Sequence, residues 1–173
     1  MTLAAITAHA IALRRALHRE PELMHHEHDT AAAVRAELDR LGIAWRACAG
    51  TGTVARLGTG SGRHLAFRAD LDALALTELT GVPWASRRPG LMHACGHDGH
   101  TASLLAAAAW LKLRERDLPG PVTLLFQPAE EGGHGAQAMC ADGALDGVDA
   151  VYGYHNWPAI PFGRAACPPG PVM

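Results

Sequence analysis

The sequence predicts an α/β fold, a layered open sheet with flanking helices. Three patterns point to it. Stretches with helical periodicity alternate with short apolar runs bounded by turn residues, the order expected when helices cover a largely parallel sheet. Runs such as "PVTLLFQ" (121–127) are apolar along their length, as strands buried on both faces are. Polar residues follow at the ends of those runs, where open α/β sheets collect ligands.

The elements follow in order. "MTLAAITAHAIALRRALHRE" (1–20) has no basic leading segment of an export signal, and Leu3, Ile6, Ala10, Leu13 and Leu17 form one stripe of an amphipathic helix. A second helix is predicted from Thr30 to Leu41, with Ala33, Val34, Leu38 and Leu41 inward and Gly42 ending it. "TVARLG" (53–58) and "HLAFRAD" (64–70) read as strands joined by the turn "TGSG". Residues 72–95 are irregular. Residues 102–113, "ASLLAAAAWLKL", are apolar almost all round and predict a buried helix, which Pro119-Gly120 separates from the buried strand at 121–127. A short helix at 136–141, a second buried strand at 148–155 and the start of a further strand at 163–167 complete the reading. There is no internal repeat and no low-complexity segment.

Composition narrows the function. At 173 residues the chain suits one domain with a sizeable core, and 49% apolar against 18% charged residues excludes a disordered chain. The formal charge is −2 with no basic run, so neither nucleic acid nor an anionic membrane is expected as a partner. No apolar run approaches the roughly 20 residues of a membrane helix, and the expected location is cytoplasmic. Cys48, Cys95, Cys140 and Cys167 are scattered without a CxxC pair, so a disulfide framework is not expected. A redox role for Cys95 lacks a resolving cysteine nearby in sequence.

The chemistry concentrates in four places. The run ending at Phe67 leads into Arg68, Asp70 and Asp72; the run ending at Gln127 leads into Glu130 and Glu131; the run ending at Tyr154 leads into His155 and Asn156; and Cys95, His97, Asp98 and His100 precede the apolar helix. Each has an ordinary alternative. Cys95 and His97 are either a buried thiol beside a surface imidazole or a pair suited to zinc and similar ions, with Gly96 and Gly99 allowing a tight turn. His100 reads as a helix start or a support for a ligand. Glu130 and Glu131 are either a solvated helix start or a divided pair, one carboxylate on a metal and the other facing substrate as a base. His155 is either bonded to a backbone carbonyl or a ligand. Asp70 and Asp72 either cap the next turn or orient histidines.

Other motifs fail. "HHEHD" (25–29) resembles HExxH, but residue 30 is Thr, so it reads as a polar loop or helix start. "GTGSG" (58–62) has no P-loop lysine and is a turn. No G-x-S-x-G elbow and no deaminase PCxxC occurs.

Taken in series, "LRRALHREPEL", "FRADLDAL", "MHACGHDGHTA", "FQPAEEGG", "YHNWPAIPFG" and "PPGPVM" resemble the M20 metallopeptidases, on the branch of amidohydrolases that cleave N-acyl amino acids, such as hippurate hydrolase, aminoacylase-like enzymes and auxin-conjugate hydrolases. The resemblance runs from about residue 13 to residue 173. It implies that Cys95, His97, Glu131 and His155 are metal ligands, that Glu130 is the general base, and that Asp72 orients a group on the metal side. It implies two divalent ions, usually zinc, manganese or nickel, and a small N-acyl amino acid as substrate. Ala75 and His134 depart from the family pattern away from these ligands. The larger departure is length. Family members continue into a lid domain, which mediates dimerisation, and return with a last metal-binding histidine. Residues 1–173 are therefore expected to be a truncated, dinuclear-metal exopeptidase-like catalytic domain lacking the lid. Such a chain would hold fewer ions, work weakly alone or only bind metal, and call for a homo-oligomer or a complementing C-terminal chain.

Overall fold

The computed structural model describes residues 1–167, so the segment "PPGPVM" (168–173) lies outside the described residues. The N-terminal stripe forms α1 (Leu3–Arg19), started by the Thr2 hydroxyl, which accepts the Ala5 amide at 3.3 Å. Ile6 and Leu17 of that stripe are buried, whereas Leu3 is exposed. α2 (His28–Leu41) begins two residues before the predicted start and ends at Gly42, whose φ of +64° suits a residue without a Cβ. The chain continues through β1 (Trp45–Cys48), β2 (Gly52–Leu57), β3 (Leu65–Asp70), α3 (His97–Lys112), β4 (Val122–Gln127), α4 (Gly135–Ala141) and β5 (Ala150–Gly153).

The sheet order is β1-β2-β4-β3-β5. β3 pairs in parallel with β4 on one side and β5 on the other, while β1–β2 and β2–β4 are antiparallel. The carboxyl ends of β3, β4 and β5 therefore open on one edge. The side-chain period of two divides β4 between two cores. Val122, Leu124 and Phe126 face Val34 and Leu38 of α2 and Leu104, Leu105 and Ala108 of α3. Leu125 faces Met139 of α4 with Val54 and Ala66. A central strand covered on both faces has no solvent side, which is why its sequence is continuously apolar.

The turn "TGSG" joins β2 and β3, as read from the sequence, although β4 lies between them in the sheet; the Gly62 amide donates to the Pro119 carbonyl at 2.8 Å, and a Cβ on Gly60 would lie 2.5 Å from that same oxygen. Three expectations are corrected here. The apolar helix starts at His97 rather than Ala102, and it is buried on one side only, with Ser103 and Ala107 exposed. The run at 148–155 forms only the four residues of β5, an edge strand with Val151 46% and Tyr152 53% exposed. Its apolar residues read as interior, but only β3 borders it among the described residues. Residues 163–167 form no strand. β1 was not predicted; its four residues carry too little alternation to stand out, and its pairing with β2 makes it. Among the described residues no helix is long and apolar enough to cross a membrane.

Phe126 is fully buried between α2, α3 and the sheet, so Phe126→Ala should lower unfolding free energy by about 3–5 kcal/mol. Val151→Thr, on the exposed edge, should change it by no more than about 0.5 kcal/mol. Urea unfolding of both variants checks the contrast.

Candidate metal centre

α3 begins where the chain makes a turn only glycine accommodates. Gly96 has φ +89°, and a Cβ on it would lie 2.5 Å from the Asn156 side-chain oxygen. Gly99, read in the sequence as a second tight turn, is instead an ordinary residue of α3 with open space around it. The turn at Gly96 places Cys95 just ahead of the helix and His97 in its first position.

His97 is completely buried. Its Nδ1–H donates to the Asp72 backbone carbonyl at 2.9 Å, which leaves the Nε2 lone pair facing away from Asp72. That nitrogen has no hydrogen-bond partner. It lies 3.6 Å from Asp70 Oδ2, 3.8 Å from Glu131 Oε1 and 3.9 Å from Glu130 Oε2. Glu131 Oε1 is also buried and unpartnered. The Glu131 amide donates to Asp72 Oδ2 at 2.9 Å, so one aspartate holds His97 through its carbonyl and Glu131 through its carboxylate.

The other side of the cluster comes from the segment that follows β5. His155 Nδ1–H donates to the Asn156 carbonyl at 2.7 Å, and its Nε2 lies 3.4 Å from Cys95 Sγ. The backbone-bonded reading of His155 and the ligand reading are thus compatible, one on each nitrogen. The ligand atoms of Cys95, His97 and His155 lie within 4.8 Å of one another, as do those of His97, Glu130 and Glu131. A tetrahedral zinc site separates its nitrogen and sulfur ligands by roughly 3.3–3.8 Å, given the usual bond lengths. Three segments that are distant in sequence therefore bring Cys95, His97, Glu131 and His155 together, with Glu130 beside them and more exposed.

Two members of the "CGHDGH" run are used otherwise. His100 spends both nitrogens: Nδ1–H donates to Asp70 Oδ1 at 2.6 Å, and Nε2 accepts the Asn156 amide at 3.1 Å. It has no lone pair to offer an ion, although Asp70, His97 and His100 are close enough to suggest a third cluster. Asp98 points away from the site toward α1, where its Oδ2 meets His18 Nδ1 and Arg14 Nε, each at 2.7 Å. The sequence lists Asp98 beside Cys95, His97 and His100, but the turn of the helix between successive residues points it toward α1.

The electrostatics suit a cation. Burial opposes the charged form of Asp70, but the His100 hydrogen bond, His97 and Arg68 outweigh it and hold the carboxyl below its ordinary range. Asp72 is likewise lowered, with burial offset by the His97 hydrogen bond and the Glu131 amide. Burial, and next the Glu131 carboxylate, pushes the Cys95 thiol up to about 12. Arg68 is the nearest counter-charge, 2.6 Å from Asp70 Oδ2 and 4.0 Å from Glu130 Oε1. A thiol, two imidazole lone pairs and acceptor-only carboxylates around one small volume fit a divalent ion of zinc-like preference, and such an ion would meet the bare His97 and Glu131 atoms.

A sequence profile described as "Peptidase family M20/M25/M40" matches residues 66–170. N-acetyl-L-cysteine deacetylase of Bacillus subtilis is 47% identical over 175 residues, covering 100% of this chain and 42% of its own length. IAA-amino acid hydrolase ILR1-like 4 of Arabidopsis thaliana is 44% identical over 164 residues, covering 94% of this chain and 37% of its own. The crystal structure of Bacillus subtilis YXEP protein, described as a dinuclear metal binding peptidase from the M20 family, superposes with TM-score 0.88 and 42% identity over 91% of this chain and 45% of that one. The chain thus spans about two fifths of the length of these relatives.

Only the thiolate of Cys95 binds a metal, and without one the thiol keeps its proton up to about 12. Binding at neutral pH must release that proton, so zinc affinity should rise with pH, by about tenfold per unit for one proton. Zinc titrations one pH unit apart near neutrality check the sign, and the rise should shrink in Cys95→Ser.

Proposed function

The chain belongs to peptidase family M20/M25/M40, and from that premise we propose that it is part of the catalytic domain of a metal-dependent amidohydrolase that cleaves the amide bond of N-acyl amino acids. The observation that carries this reading is the bare, buried Nε2 of His97 facing Glu131, with Cys95 and His155 alongside and Glu130 at the mouth. Cys95, His97, Glu131 and His155 would hold the metal, two divalent ions in the fullest form, with zinc or manganese the ions to try first. A divalent ion held there would polarise the amide carbonyl and make water a stronger acid.

The residues of the chain supply the rest. Glu130 accepts the proton of the attacking water and delivers it to the departing amine, a task suited to a carboxylate that reaches solvent and is held on the same turn as Glu131. Asp72 keeps His97 in the tautomer whose Nε2 is free, and orients Glu131 through its amide. Asp70 and His100 hold the segment that carries His155. The substrate class is supported by two relatives whose names give an N-acetyl-amino acid and an amino acid conjugate as what they act on; hippurate-like compounds fall in the same class.

We assign residues 1–173 to part of a catalytic domain because the chain spans about two fifths of its relatives and because, among the described residues, only β3 borders β5, whose outer edge is apolar. That edge favours a second reading, in which the protein binds metal but needs a complementing chain or a second copy for turnover. Hydrolysis of N-acetyl- and N-benzoyl-amino acids by the purified protein with added zinc or manganese separates the two. Under the first reading Glu130→Gln should cut turnover by about 10²–10⁴ while bound metal stays the same. Metal binding without turnover supports the second. Full turnover by Glu130→Gln would overturn the role given to Glu130.

A further inference from the structure

The motif "HHEHD", a loop or helix start by its sequence, contains a carboxylate that its surroundings do not leave to solvent. Glu27 is fully buried at the start of α2, and its side chain is not spent on capping that helix. Its Oε1 accepts the Ala129 amide at 2.8 Å, and its Oε2 accepts the Thr51 hydroxyl at 2.6 Å. One carboxylate thereby ties α2 to the turn after β4 and to the turn between β1 and β2.

The turn after β4 needs such a tie. Ala129 has φ +50°, the left-handed region that a residue with a Cβ disfavours. It is buried, and the glycines that follow leave little room around it: a Cβ on Gly133 would lie 2.5 Å from the Ala129 Cβ, and one on Gly135 would lie 1.7 Å from the Pro128 carbonyl oxygen. Two residues on, the Glu131 amide donates to Asp72 Oδ2 at 2.9 Å. Glu130 is thus flanked by two amides, and a buried carboxylate holds each. Because backbone torsions fix where each Cβ points, these two anchors set the directions of Glu130 and Glu131.

We propose that Glu27 is a positioning residue of the metal centre: its grip on the Ala129 amide holds the left-handed turn that aims Glu131 toward His97 Nε2 and leaves Glu130 at the mouth. The proposal rests on the reading above in taking Glu131 as a metal ligand. Changing a group that holds a ligand in place typically weakens metal binding by about 10–100-fold.

Cobalt(II) tests it, titrated into the metal-free protein and into Glu27→Gln and Glu27→Asp at a temperature where circular dichroism shows all three folded. Gln keeps the length, an acceptor for the Ala129 amide and a donor for the Thr51 hydroxyl. Asp keeps the charge but stops one methylene short of the amide. The expected result is cobalt affinity and d–d bands in Glu27→Gln close to those of the unaltered protein. Glu27→Asp should bind at least about tenfold more weakly with altered bands, and adding Ala129→Gly should recover much of the loss, since glycine adopts this φ freely. A role confined to stability would move the unfolding temperature and leave the cobalt spectrum of the folded variants unchanged. Normal binding by Glu27→Asp overturns the proposal, and so does binding by Glu27→Gln as weak as that of Glu27→Asp. Should Glu27→Asp not fold, hydrogen exchange in the unaltered protein decides: a protected Ala129 amide supports the clamp, and exchange at the rate of an open turn overturns it. Failure of the unaltered protein to bind cobalt would sink the metal reading and the proposal together, whereas binding indifferent to Glu27 would sink the proposal alone.

Discussion

His97 donates one ring nitrogen to the Asp72 carbonyl and keeps the other bare in a fully buried space. A buried acceptor without a partner costs about 1–3 kcal/mol, and here it faces a carboxylate oxygen that is equally bare. Burial disfavours a charged His97, but the Asp72 hydrogen bond and the Asp70, Asp72 and Glu131 carboxylates outweigh it and raise its pKa, and the same carboxylates favour a bound cation. Much of the neighbouring structure serves to keep this arrangement: Gly96 gives the turn that starts α3 at His97, Asp72 fixes the imidazole, and β4 ends in the turn that presents Glu131.

The topology explains how such a cluster assembles from distant residues. β3 is flanked by β4 and β5, each parallel to it, so three carboxyl ends open side by side. α3 leaves from the same edge, with its first turn at the mouth. The antiparallel β1–β2 pair extends the sheet without adding to the site, although Thr51 from its turn meets Glu27. Asp70, His100 and the Asn156 amide form a second line of support that fastens the segment after β5 to the start of α3.

Much of this was legible in the sequence, and the parts that were not share a physical cause. The central strand β4 could be read because burial on both faces leaves an uninterrupted apolar run, and α2 because Gly42 marks its end. The ligand-type residues could be grouped because Asp72, Glu130, Glu131 and His155 follow apolar runs and Cys95 and His97 precede an apolar helix. What could not be read depends on neighbours distant in the chain. β5 has an interior-like sequence yet sits exposed at an edge, and nothing local records that only one strand borders it among the described residues. The "TGSG" turn is legible, but nothing near it records that β4 lies between the two strands it joins. Asp98 sits beside Cys95 and His97 in sequence but meets Arg14 and His18 of α1. Glu27 sits in a run of histidines and acids that looks solvated, and its partners, Ala129 and Thr51, lie 102 and 24 residues away.

The central claim is that Cys95, His97, Glu131 and His155 share bound metal. X-ray absorption of the zinc-loaded protein tests it most directly, because sulfur and the lighter ligands scatter at distinguishable distances, near about 2.3 Å and about 2.0–2.1 Å. The account predicts a first shell with one sulfur among nitrogen and oxygen ligands, and loss of the sulfur contribution in Cys95→Ser. A shell of nitrogen and oxygen alone in the unaltered protein, or a sulfur signal that survives Cys95→Ser, would contradict it.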